Sequence, residues 1–77
     1  MAAGWKVQVT TFDSAGKPGM VRYFLACESD KEKAVELVRN KAIVHKWERA
    51  EAIAEVQESV FIGHGMKPSG VRQYTAV

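Results

Sequence analysis

Residues 47–61, WERAEAIAEVQESVF, carry the choice between two folds because they have two periodicities at once. Ala50, Ile53, Ala54, Gln57, Val60 and Phe61 fall on one helical face, and Ala and Glu favour helix. Against this, Ala50, Ala52, Ala54 and Val56 alternate with Glu51, Ile53, Glu55 and Gln57, the two-residue period of a strand. What lies upstream tips the balance. The preceding sequence encodes a two-stranded hairpin, which is marginal in water by itself and needs a third strand for shelter. Residues 49–57 are therefore read as that strand.

In the hairpin, Trp5, Val7, Val9 and Thr11 alternate with Lys6, Gln8 and Thr10, giving a first strand with one dry and one wet face. It ends at Asp13, Ser14, Ala15, Gly16, Lys17, Pro18 and Gly19, where turn-forming residues cluster. Residues 20–27 form the second strand, rich in Val21, Tyr23, Phe24 and Leu25. Its faces are unusual. Val21, Tyr23, Leu25 and Cys27 make one apolar row, while Met20, Phe24 and Ala26 make the other, broken only by Arg22. Such a strand has to be covered on both sides.

Ser29 followed three residues later by Glu32 has capping-box spacing, so a helix is expected over residues 30–43. Ala34, Leu37, Val38, Lys41 and Ala42 lie at helical spacing, Val35 widens the apolar stripe, and Glu32, Lys33, Glu36 and Arg39 face out. Downstream of residue 57, a short helix ends near His64: Gly65 takes the C′ position, Met66 the C″ position, and Pro68 bars continuation. Gly63 within it costs roughly 1 kcal/mol relative to Ala, so this helix depends on Phe61 and Ile62 docking on the core. Residues 71–77 suit either a last edge strand or a tail. The expectation is an α+β fold: a small antiparallel sheet in β-β-α-β-α order, with helices packed on it, as a single domain over residues 1–77.

A chain of 77 residues builds one core with a thin stability margin. Cys27 is the sole cysteine, so no internal disulfide or Cys-based zinc site can staple it, which favours a reducing, cytoplasmic compartment. The first residues carry no basic region, and no apolar run approaches the roughly 18 residues of a membrane span. A net charge of +2 says little about partners.

Each candidate for chemistry has a plainer explanation. Cys27 precedes the first helix, where a thiol pKa can fall, but it also continues the Val21, Tyr23, Leu25 row as a small core residue. His64 lies between Gly63 and Gly65, which helix termination explains, and His45 lies near a helix C-terminus, where a cation is favoured. Two separated histidines are a poor metal site. Gly16, Lys17, Pro18 and Gly19 lack phosphate-loop spacing and join two strands. No cofactor is implied, and the chain reads as non-catalytic.

Two binding readings remain. The apolar surplus of the second strand, with Phe12 extending the polar row of the first, leaves Phe12, Met20 and Phe24 to be covered by the C-terminal helix or by a twin copy. Self-association as a homodimer is the first expectation. The second is a nucleic-acid-binding accessory protein that uses Arg39, Lys41, Lys46, Trp47 and Arg49, with Lys67 and Arg72 as further candidates. The residues of the RNA-recognition motif are not present, since no basic-Gly-aromatic lead precedes Tyr23 and Phe24, and no KH-type glycine loop joins two helices.

Overall fold

A computed structural model describes residues 3–42 and 44–74. In chain order the elements are β1 (Gly4–Phe12), β2 (Pro18–Ala26), α1 (Lys31–Lys41), β3 (Arg49–Val56), α2 (Glu58–Gly63) and β4 (Val71–Tyr74). The fold is α+β, as the periodicities predict, and the expected order gains β4 at its end. The strands form one antiparallel sheet in the order β3-β1-β2-β4. The ambiguous segment is a strand from Arg49 to Val56, lying along β1 where it shields the hairpin. The expected helix end at Ile43, and the tail at residues 75–77, lie outside the described residues.

The hairpin turn is held by one carboxylate. Asp13 Oδ1 accepts the backbone N–H groups of Ala15 at 2.9 Å and Lys17 at 2.8 Å, while Asp13 N–H donates to the Lys17 carbonyl at 2.9 Å. This local bonding is the reason an Asp-led cluster of turn formers closes tightly.

α1 is capped by Asp30 and not by Ser29. The Asp30 side chain accepts the Lys33 N–H at 3.0 Å, and the Ser29 carbonyl instead accepts the Trp5 indole N–H at 2.9 Å. The shift of one residue is physically small, since both side chains are good caps. Below α1 lies the larger core: Ala34 and Val38 of the helix pack on Val7, Val9, Phe24 and Ala26 of the sheet.

α2 packs on the other face. Successive side chains of a strand point to opposite sides, and Leu25, between Phe24 and Ala26, clusters with Val56 and Phe61 in place of Ala34 and Val38. Both dry rows of the second strand thus receive cover from within the chain, α1 over Phe24 and Ala26, α2 over Leu25. Burying each such large apolar side chain is worth roughly 1.5–3 kcal/mol. The helix ends as its residues predict, with Gly65 N–H bonding the Ile62 carbonyl at 3.0 Å and Met66 N–H the Phe61 carbonyl at 2.9 Å. Gly65 takes φ 66°, and the Met66 side chain packs in the same cluster as Phe61, the contact that accompanies this terminator.

β3 serves both faces through a bulge. Val7 pairs with Ala52 and Lys6 with Ala54, so Ile53 is an extra residue without a partner on β1. The row read as Ala50, Ala52, Ala54 and Val56 is therefore split: Ala50 joins the α1 core, and Val56 joins the α2 core.

Candidate functional site

The connection from α1 to β3 is built around a buried carboxylate. Glu48 is only 4% exposed. Its Oε2 accepts the Thr11 hydroxyl at 2.8 Å and the Arg22 guanidinium at 2.7 Å, and its Oε1 accepts the His45 backbone N–H at 3.0 Å. Glu48 N–H donates back to the His45 carbonyl at 3.0 Å, and Arg39 donates to the Glu48 carbonyl at 3.3 Å. The His45 N–H, then the Thr11 hydroxyl and the Arg22 cation, outweigh the opposing effect of burial and hold the Glu48 carboxyl at about 2, below its ordinary 4.5. The Glu48 side chain thereby ties β1, β2 and the connection at His45 to the start of β3, while its backbone carbonyl takes Arg39 from the last turn of α1.

What this anchor holds up is an aromatic pair. The His45 and Trp47 rings stack at 4.5 Å between centroids with an interplanar angle of 2°. Trp47 is nevertheless 67% exposed. Since His45 covers one face of the indole, the opposite face lies in solvent.

Of the residues proposed for nucleic-acid contact, Arg39 and Lys41 belong to the last turn of α1, Lys46 and Trp47 to the connection, and Arg49 opens β3. All are exposed at their residue positions, and Arg49 meets Glu51 only loosely at 3.8 Å. Because Glu48 is turned inward and paired, its charge does not cancel theirs at the surface. The structure sets Arg72 apart from them. It lies on β4, at the far edge from β3, roughly 14 Å away across three strand spacings, where it donates to the His64 carbonyl at 3.0 Å. Lys67 lies in the link between α2 and β4, away from the same patch in sequence and element order.

The residues proposed for an oligomeric interface are dispersed. Phe24 is 4% exposed beneath α1, with the Arg22 guanidinium 5.7 Å from its ring centroid. Phe12 is half-buried at the hairpin end, opposite Pro18. Met20 is 69% exposed.

The remaining candidates have structural roles. Cys27 is half-buried, and its backbone bridges to Ser69 and Gly70. Burial first, then the nearby Glu28 and Glu58 carboxylates, push its thiol pKa up, so it stays protonated and weakly nucleophilic at neutral pH. His64 caps α2. Among the described residues no three His, Cys, Asp or Glu side chains converge as metal ligands, and no helix is long and apolar enough to cross a membrane.

Glu48 is the site residue that sequence reading missed, whereas His45 is read there only as a cation near a helix end and not as the partner of Trp47. The available signal was Thr11 and Arg22, two polar residues in rows that face the α1 core, where a buried donor demands a partner. Comparison with protein-family models, curated proteins and solved structures finds no match.

Proposed function

We propose that this chain is a non-catalytic nucleic-acid-binding module whose contact element is the connection between α1 and β3. The observation that supports the reading most is the exposed Trp47 ring, stacked on His45 beside the Glu48 anchor, in a connection that Arg39 and Lys41 of α1 precede, that Lys46 belongs to and that Arg49 of β3 follows. Cations on a rigid support neutralise phosphates, and an aromatic ring among them offers a surface for bases. The test is fluorescence anisotropy with labelled oligonucleotides across a salt series. If four cations contact phosphate, the log–log dependence of affinity on salt has a slope of about −3 for a single strand. Reversing Lys46 and Arg49 to Glu flattens that slope. No retention at low ionic strength removes the reading.

A second reading is supported by a different observation. Met20 and Val21 expose apolar surface at the hairpin end of β2, and the long outer edge of β3 is unpaired among the described residues. A homodimer joined there would also widen the thin stability margin of a small domain. Sedimentation at micromolar concentration tests it: a dimer converted to monomer by Met20→Lys supports it, and a strictly monomeric chain retires it. In either reading the lone Cys27 suits a reducing, cytoplasmic setting.

A further inference from the structure

We propose that the Trp47 face turned away from His45 is a stacking site for one unpaired base, so that the ligand is single-stranded. This rests on the nucleic-acid reading and makes it narrower.

The geometry of the pair carries the inference. His45 lies parallel to the indole at 4.5 Å, occupying one face as a third aromatic layer would. Trp47 is 67% exposed although His45 covers one face of its indole, so its second face is open to an incoming ring. Bases inside a duplex already stack on both sides and offer only edges and phosphates. An unpaired base has a free face, and a sandwich of base, Trp47 and His45 completes the stack.

The support is stiff where such a site needs stiffness. The His45 N–H is bonded to Glu48 Oε1, and the His45 carbonyl accepts Glu48 N–H, so both backbone groups of the residue beneath the indole are fixed. Lys46 lies between the two rings in sequence and Arg49 two residues beyond Trp47, spacing that puts cations beside the ring for the phosphates flanking a stacked nucleotide. In this arrangement Trp47 contacts the base, and His45 is a positioning residue that acts through Trp47.

The experiment compares three labelled probes at one low salt concentration: a fifteen-nucleotide oligothymidine, an abasic strand of the same length, and a mixed-sequence duplex. The expected result is about 5- to 150-fold tighter binding of oligothymidine than of the abasic strand, the range of one base stacked on an aromatic ring. Trp47→Ala lowers oligothymidine affinity to the abasic level and leaves the abasic and duplex probes unchanged; Trp47→Phe keeps much of the preference. His45→Ala reduces the preference and His45→Phe restores it. Since Trp47 and His45 are exposed, these variants stay folded, which circular dichroism verifies. Equal affinity for the oligothymidine and abasic probes overturns the stacking site while leaving phosphate binding intact. Failure to bind any of the three removes the nucleic-acid reading itself. Polyglutamate bound as tightly as oligothymidine, with the same dependence on Trp47, reassigns the surface to acidic peptides and overturns the inference.

Discussion

The carboxylate of Glu48 meets the guanidinium of Arg22 at 2.7 Å, reaching from the residue before β3 across β1 to β2. The sheet is thereby cross-tied at the end where α1 hands over to β3. Removing the carboxylate takes a counter-charge from a cation that is itself largely sheltered: Arg22 is only 24% exposed, and Glu48→Ala leaves it without the Glu48 charge. The expected loss is about 1.5 to 3 kcal/mol, that of a charge-assisted hydrogen bond, a large share of the roughly 4 to 12 kcal/mol available to a domain of this length. Thr11→Val removes a single hydrogen bond and costs about 1 kcal/mol. Urea unfolding of both variants checks the ranking, and a Glu48→Ala midpoint equal to that of the parent contradicts the role given to the anchor.

Acid should act on the same tie. The folded-state pKa of Glu48 is depressed to about 2 from 4.5, so the deprotonated form binds its partners and the folded chain holds fewer protons than the unfolded one between those values. The stabilisation is complete above the unfolded value and is lost as pH falls through the folded one. Glu48→Gln lacks it at every pH. The stability gap between parent and Glu48→Gln is therefore expected to be constant near neutrality and to close as the pH drops below 4.5 towards 2. A gap that holds constant down to pH 2 argues against a charged Glu48 in the folded state.

Elements with a single strong periodicity were legible from residue types alone: β1, the hairpin, α1 and the Gly65 terminator need only local physics. β3 was legible as a strand because its neighbours required one, but not its bulge, since the extra residue Ile53 satisfies the same alternation. Strand β2 announced two covered faces, and the unknown was which layers would cover them. A sheet order of β3-β1-β2-β4 depends on long-range pairing that no local pattern encodes. The cationic cluster with Trp47 was visible because it is contiguous. Its anchor was not, because Thr11, Arg22 and Glu48 are far apart in the chain and a glutamate between Trp47 and Arg49 reads as ordinary surface charge.

The second core has one point of intolerance. Gly4 lies so close to the Ala26 carbonyl oxygen and the Phe61 ring that an added methyl group would overlap both. The ring can shift, but the carbonyl belongs to a paired strand and cannot. Gly4→Ala is expected to destabilise by about 1 to 3 kcal/mol through overpacking, and Phe61→Ala by about 3 to 5 kcal/mol through the cavity it leaves. The substitutions share a site, so their effects should not add: with the Phe61 ring gone, part of the Gly4→Ala clash goes too. Thermal unfolding of the two single variants and the double variant measures the coupling, and strict additivity would mean that the ring and the glycine do not meet.

Two residues in the left-handed region give opposite expectations from the same physics. Gly65 has φ 66° with open space where a side-chain methyl group would lie, so Gly65→Ala carries backbone strain alone and is expected to cost about 1 kcal/mol. Ser69 has φ 64° and already carries that strain, held there by its N–H bond to the Cys27 carbonyl at 2.9 Å and by the Gly70 N–H bond to the Lys67 carbonyl at 2.9 Å. Ser69→Gly relieves the strain but adds freedom to the unfolded chain, so the net gain is smaller, up to about 1 kcal/mol. The sign is the test. A Ser69→Gly variant less stable than the parent would mean that the turn joining α2 to β4 takes its support from the serine side chain and not from the backbone bonds that now account for it.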